Sequence, residues 1–347
     1  MGVDLSDLAI KETLSMESLS GKIIAVDAYN MLYQFLASIR QEDGTPLMDF
    51  KGRITAHLSG LFYRSSRLVG NGIKPVFVFD GPSPSFKRAE KARRKKVKKE
   101  AEKKWKEALE EERFEDARKY AQATSRLTKE MVEESKHLLD GLGIPWVQAP
   151  SEGEAQAAVM TQKGITYATS SQDYDALLFG SPVLIRNLSI TGKRKVPRED
   201  RFVMVHPEQI TLSGLLKSTG LSREQLILLG IMAGTDFNEG VYRVGPKTAL
   251  KIVKEVNTIE KMEKYIMEKY NYQFEINIHK VFDFFLHPPY KEVAEKLQWG
   301  HFDKDSVINL LVQEHDFSEE RVTKTLDEMM HDAKEKGAQK KLDQFFG

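Results

Sequence analysis

Short apolar runs alternate with helical periodicity along the first two thirds of the chain. Lys22–Asp27 (KIIAVD) is an apolar run closed by an acid, and a helical pattern follows from Tyr29 to Ile39. Asn71-Gly72 marks a turn, after which Lys74–Asp80 (KPVFVFD) reads as a buried strand that again ends in an Asp, followed at once by Gly81-Pro82. Ile144–Val147 is another short strand. Ser151 then opens a helix to about Gln162, and Ile165–Ser170 (ITYATS) is a strand leading into Gln172-Asp173-Tyr174-Asp175. Val183–Arg186 and Phe202–Val205 read as strands at a sheet edge. Beyond Glu208 the pattern is helical to the end, broken near residues 236–246 and around His287-Pro288-Pro289. This alternation predicts an α/β fold: a mainly parallel, twisted sheet flanked by helices, then a helical C-terminal half.

Three of the predicted strands deliver an acid at or just past their C-terminal end: Asp27, Asp80 and Asp173, with Asp175 two residues on. Ligand sites in open parallel sheets form outside the carboxyl ends of the strands, so these acids should gather along one edge. Glu152 and Glu154 sit in the first turn of the helix after Pro150, and Asp236 follows the apolar run Leu226–Ala233. Each has a bland reading. Asp27 and Asp80 suit turns, Ser151-x-x-Glu154 fits a capping box, Asp173 and Asp175 suit a solvated loop, and Asp236 could cap the next helix. Their convergence is what matters. Clustered carboxylates repel unless cations neutralise them, and Mg2+ or Mn2+ prefer such oxygen ligands.

Composition narrows the class. The chain has 347 residues, 41% hydrophobic and 30% charged, enough for a sizeable core. No apolar run approaches the ~20 residues of a membrane span, and the start lacks the basic and apolar regions of a signal peptide. A soluble, intracellular protein is expected. Cysteine is absent, which excludes disulfides, thiolate zinc sites and cysteine nucleophiles. The net charge is only +1, yet residues 87–106 hold twelve Lys or Arg against three Glu. In a helix, Lys87, Lys91, Arg94 and Lys98 would share one face, suited to neutralising phosphates. A solvated helix face or an import signal is the plainer alternative.

Five stretches carry a resemblance: Ile24–Asn30 (IAVDAYN), Asn71–Gly81 (NGIKPVFVFDG), Pro150–Ala155 (PSEGEA), Ser171–Gly180 (SQDYDALLFG) and Leu229–Phe237 (LGIMAGTDF). With them the chain resembles the flap endonucleases of the structure-specific 5′ nuclease superfamily, particularly the archaeal ones. The resemblance implies a PIN-like, resolvase-like nuclease core over residues 1–335, with an N-terminal region 1–106, an internal region 138–260, a helical arch at about 84–137, and a helix–turn–helix hairpin at about 224–256. It implies two Mg2+ ions, replaceable by Mn2+, on Asp27, Asp80, Glu152, Glu154, Asp173, Asp175 and Asp236. The first four would hold one ion and the last three the other. Lys87 and Arg94 would contact the scissile phosphate, and Tyr33 would stack on a neighbouring base. Gly2 would lie near the site, and Arg40, Gly245 and Lys247 would touch DNA. Gly240–Ala249 (GVYRVGPKTA) is similar to the hairpin that binds one DNA strand and a K+ ion near Gly240–Gly245, but Arg243 stands where Gly is usual. A residue needing positive φ there would make Arg costly.

The implied activity is 5′ flap endonuclease and 5′–3′ exonuclease cleavage of branched DNA by two-metal-ion catalysis, in replication (Okazaki fragment processing) and repair. The implied setting is a cytoplasmic monomer, or a nuclear protein were the source eukaryotic, with no membrane partner. An RNA-directed nuclease, a non-catalytic DNA-bound adaptor and an Asp27-based phosphatase are the alternatives; Tyr29 replaces the second Asp the last would need. Residues 336–347 read as a flexible tail in which Gln339, Leu342, Phe345 and Phe346 fit Q-x-x-L-x-x-F-F, the pattern that docks on sliding clamps such as PCNA. Deleting residues 339–347 is expected to leave cleavage of naked DNA intact while abolishing stimulation by the clamp. Stimulation that survives the deletion in a cleavage assay would remove the clamp assignment.

Overall fold

In a computed structural model of the chain, the described residues are 2–41, 43–195, 201–294 and 297–346, with the side chains of Ala89, 193–195 and 337–346 outside the description. Nine strands are found among them: β1 (Glu12–Thr13), β2 (Ile23–Asp27), β3 (Lys74–Phe79), β4 (Trp146–Gln148), β5 (Ala168–Ser170), β6 (Val183–Arg186), β7 (Gly192–Lys195), β8 (Phe202–Val205) and β9 (Glu208–Thr211). Seven form one sheet in the order β1-β9-β6-β5-β2-β3-β4. The strands from β6 to β4 run parallel, whereas β9 pairs antiparallel with both β6 and β1. The sheet is therefore mainly parallel with an antiparallel edge.

Two expectations at that edge need correction. Val183–Arg186 is an interior strand between β5 and β9, and Phe202–Val205 belongs to a separate two-stranded ribbon with β7. The helical pattern does not begin at Glu208, because Glu208–Thr211 pairs along β6 as β9. Its short β-branched end, Ile210-Thr211, completes the ladder before Thr211 caps the next helix by accepting from the Gly214 N–H.

Alternation along the central strands sorts side chains onto two faces. Ile24 and Val26 of β2, with Phe77 and Phe79 of β3, face a core that also holds Leu32, Phe62, Leu138 and Leu326. This face is covered by α1 (Ala28–Ser38), α2 (Ala56–Gly70), α5 (Lys129–Gly141) and α14 (Glu319–Phe346), the last two separated in sequence by about half of the chain. Ala25, Val76 and Val78 face the other way, onto Ala157 and Met160 of α6 (Gly153–Gln162). A second core gathers Leu177 of α7 (Asp175–Leu178), α9 (Arg223–Ala233), α10 (Pro246–Glu255) and α12 (Ile278–Leu286) with α8 (Leu212–Thr219) and α11 (Ile259–Tyr270). The short α13 (Lys304–Ile308) and a π-turn (Asn309–Glu314) complete the C-terminal part. No described helix is long and apolar enough to cross a membrane.

The basic stretch is helical. A 3-10 turn (Ser85–Lys87) leads into α3 (Arg88–Glu110), which packs against α4 (Phe114–Gln122). The helical run breaks after Gln122, and a further break lies at residues 111–113, where Glu112 takes φ 55. The backbone of α14 continues through Phe346, while the side chains of Gln339, Leu342, Phe345 and Phe346 lie outside the described residues.

Candidate active site

The C-terminal edge of the parallel strands carries the acids. Asp27 ends β2 and caps α1, accepting a hydrogen bond from the Asn30 N–H at 3.0 Å. Asp27 thus serves locally as a cap while its carboxyl also faces Asp80 and Asp173. Asp80 lies one residue past β3 and accepts from the Gly153 N–H at 2.7 Å. Gly153 permits this approach, since a Cβ there would lie 2.8 Å from the same carboxylate oxygen. Asp173 accepts from the Asn30 side-chain amide at 2.9 Å, and Asp175 from the Val3 N–H at 2.8 Å. Gly2 also sits against Asp175, where a Cβ would come within 2.6 Å of its carboxylate.

The capping-box reading of Ser151 and Glu154 fails. The cap of α6 is Glu152, the Ser151 hydroxyl donates to the Pro82 carbonyl at 3.3 Å, and Glu154 accepts from the Ala176 N–H at 3.1 Å. The same spacing serves a different end, because α6 starts one residue later than a Ser151 cap requires. Asp236 does not cap the following helix either; Gly245 takes that position.

Burial and mutual repulsion perturb these carboxyls in concert. Burial first, then the charges of Asp80 and Asp173, hold Asp27 well above the usual carboxylate range. Burial and Glu152 push Asp80 up to about 7, and burial with Asp236 and Asp173 pushes Asp175 up to about 8. Glu154 is raised by burial and then by Asp175, Asp27 and Asp173; Asp173 is raised by burial and then by Asp236. Each group thus feels the others, which requires that the acids share one pocket. Asp236 behaves oppositely: burial would raise it, but surrounding cations, Arg94 and Lys87 among them, hold it low.

Those two cations come from the basic stretch. The Lys87 ammonium, buried over the Phe237 ring at 5.1 Å, lies 2.5 Å from Glu152 and 3.7 Å from Asp236. Burial disfavours its charge, but Glu152 and Asp236 more than compensate and raise its pKa. Arg94 of α3 donates to Asp236 at 2.6 Å. Tyr33, on α1, is half-exposed beneath the Lys98 ammonium, 5.0 Å from the ring centroid. Every carboxylate is therefore turned onto a protein donor. Accordingly, no group of three or more acid or histidine side chains among the described residues has the geometry of a metal site as it stands.

The expected DNA contacts lie apart from this cluster. Arg40 donates to the Gly44 carbonyl at 2.8 Å and the Ser125 hydroxyl at 2.9 Å, tying the loop after α1 to the segment after α4. Lys247 is exposed and pairs with Asp7 at 2.8 Å. Gly245 has φ −85, a conformation any residue adopts, with nothing within 4 Å of a Cβ, so its lack of a side chain keeps the start of α10 open. Arg243 does take φ 63, the left-handed conformation that makes a non-glycine costly there. Sequence reasoning missed Asn30 and Gly153. Asn30 stands three residues after Asp27, a spacing that was open to inspection; the role of Gly153 depends on a close approach that no local pattern encodes.

Comparison with known proteins bears on this geometry. Residues 3–101 match the XPG N-terminal domain and residues 143–236 the XPG I-region, the two segments that carry the acids and Lys87 and Arg94. The chain is 52% identical over 346 residues to flap endonuclease 1 of Ignicoccus hospitalis, covering 97% of this chain and 95% of that one. It is 50% identical over 347 residues to flap endonuclease 1 of Pyrococcus abyssi, covering 100% and 98%. Among solved structures, flap endonuclease-1 from Methanococcus jannaschii superposes with a TM-score of 0.73 at 39% identity, over 96% of this chain and 100% of that one. The catalytic core of Rad2 in complex with DNA shares the fold, with a TM-score of 0.69 at 23% identity over 93% and 97%. Likeness of this extent, spanning both the sheet that bears the carboxylates and the helices around it, means that the chain belongs to the flap endonuclease family.

Proposed function

We propose that this chain is a structure-specific 5′ flap endonuclease and 5′–3′ exonuclease that hydrolyses phosphodiester bonds at branched DNA junctions during replication, including Okazaki fragment processing, and repair. The observation that carries this reading is the pocket where seven carboxylates on a sheet edge face Lys87 and Arg94 of a basic helical segment. A non-catalytic adaptor would have no use for acids so costly to keep together.

The donor set fits divalent cations. It is all oxygen, and burial followed by mutual repulsion raises Asp27, Glu154 and Asp173, with Asp80 pushed up to about 7 and Asp175 to about 8. Such groups remain ionised together only when cations lie between them. Asp27, Asp80, Glu152 and Glu154 would hold one Mg2+, and Asp173, Asp175 and Asp236 the other, with Mn2+ able to replace either. When bound, the pair supplies charge stabilisation to the attacking and leaving oxygens of an in-line displacement. The protein's own part is positioning. Lys87 and Arg94, paired here with Glu152 and Asp236, would bind the oxygens of the scissile phosphate and stabilise its developing charge. Tyr33 would stack on the base beside it, and the Gly2 backbone would border the pocket next to Asp175.

Further expectations attach to the same reading. Arg40, Gly245 and Lys247 would contact the duplex, with K+ held at the turn 240–245. Arg243 keeps that turn left-handed at a cost of roughly 1–2 kcal/mol, which favours retention of the turn geometry despite the missing glycine. Residues 339–346 would dock on a sliding clamp, and the chain would act as a cytoplasmic monomer.

Two experiments follow. With Mg2+ and a labelled 5′-flap duplex, the chain is expected to cut at the base of the flap, while Asp175→Ala binds the same DNA but cleaves about 100-fold more slowly or not at all. Equal cutting by both would detach the acids from the chemistry. The second concerns pH. Carboxyls raised in the folded state bind protons more tightly there than in the unfolded chain. Their contribution to stability is thus full below about pH 4 and is lost as pH rises through 7 and 8. In chelator, the melting temperature of the wild type relative to the Asp80→Asn/Asp175→Asn variant should fall between pH 5 and 8.5, and added Mg2+ should remove the fall. A difference independent of pH would contradict the raised values.

A further inference from the structure

Glu90 is the only acid between Asp80 and Glu100, a stretch otherwise crowded with Lys and Arg. It lies in the first turn of α3, where an acid is ordinarily explained by the helix dipole or a solvated ion pair. Neither explanation requires burial, yet its side chain is only 5% exposed. Glu90 accepts from Arg93 through both Nε and Nη2, each at 2.8 Å, and from Arg94 through Nε at 2.9 Å. These are charge-assisted bonds, two of them in the bidentate fork that fixes a guanidinium in its plane. Arg94 is thereby gripped at one edge, which leaves its Nη2 pointing into the acidic pocket, 2.6 Å from Asp236. Arg93 extends the contact by meeting Glu239 at 3.1 Å, in the same loop as Asp236. One buried carboxylate thus anchors the two arginines that join the basic helix to the loop after α9.

We propose that Glu90 is a positioning residue for the cleavage reaction: by holding Arg94 at Nε, it presents the Nη edge of that guanidinium where the scissile phosphate binds. The inference rests on the proposed role of Arg94. An arginine without this anchor has many rotamers to choose from, and the correct one must be selected anew for each substrate. A phosphate entering the pocket, by contrast, finds the donors already aligned and takes the place of Asp236 on them. Preorganisation of this kind acts on the rate of the bound complex more than on the affinity for DNA.

The test is a double-mutant cycle on a 5′-flap duplex in Mg2+, with single-turnover rates at saturating enzyme and flap affinity measured separately in Ca2+. Arg94→Ala is expected to lower the rate by about 100- to 1000-fold. Glu90→Gln should lower it by about 10- to 100-fold with flap affinity changed less than about threefold. Adding Glu90→Gln to Arg94→Ala should cost nothing further, because the anchor has lost its cargo. Glu90→Asp, which keeps the charge on a shorter arm, should recover part of the rate, and it carries the test should Glu90→Gln fail to fold. Additive losses in the double variant, or a loss confined to affinity, would mean that Glu90 only stabilises α3 and would overturn the proposal. Full activity of Glu90→Gln beside an inactive Arg94→Ala would overturn it while leaving the phosphate role of Arg94 in place. Full activity of Arg94→Ala would overturn both.

Discussion

Repulsion among carboxylates brought together at one sheet edge is the constraint around which the rest of the molecule is arranged. Asp27, Asp80, Asp173 and Asp175 arrive there because parallel strands and the turns after them end on the same side. Left alone, such a cluster would take up protons or push apart. Local backbone donors restrain it: the N–H groups of Asn30, Gly153, Val3 and Ala176 each satisfy one carboxylate. Two of these contacts need the absence of a side chain, at Gly2 and Gly153, where a Cβ would collide with the very oxygens being held. Lys87 and Arg94 then supply the positive charge that the backbone cannot.

That charge ties the site to the elements around it. Lys87 sits on Phe237, and Phe237 belongs to an aromatic cluster with Phe86, Phe179, Phe284 and Phe285, with ring centroids 4.7 to 6.3 Å apart. The cluster joins the start of the basic segment to α7 and α12, so the ammonium rests on a rigid base. Asp236 is held in its loop by the neighbouring Thr235 and Asn238, whose side chains bond to each other at 2.8 Å, while the Asn238 amide reaches the Ile231 carbonyl at 2.7 Å. The loop that positions Asp236 therefore also opens the hairpin leading to α10. Movement of the basic helix must be felt by this loop, and the reverse, since the two meet at Asp236.

Much of this was legible in the chain. Strands ending in Asp27 and Asp80 follow from apolar runs of the right length, and their predicted bounds differ from the observed ones by a single residue. The gathering of the acids follows from parallel connectivity. What escaped was set by tertiary pairing or by atomic contact. Glu208–Thr211 is only four residues long and runs straight into a helix, so its strand character appears only once β6 lies beside it. Ser151 and Glu154 have capping-box spacing, and only the placement of α6 against the sheet shows that Glu154 serves the acidic pocket. Glu90 was one acid among many charges, and its importance lies in burial that charge pattern alone does not reveal.

The most direct measurement of the central claim is a count of divalent cations, by electron paramagnetic resonance of free Mn2+ during titration of the metal-free protein. If the edge is built to hold two cations against carboxylate repulsion, the wild type takes up two Mn2+ per chain and Asp27→Asn/Asp80→Asn loses at least one. Uptake of two ions that is unchanged in that variant would place the metals elsewhere and leave the cluster without its purpose.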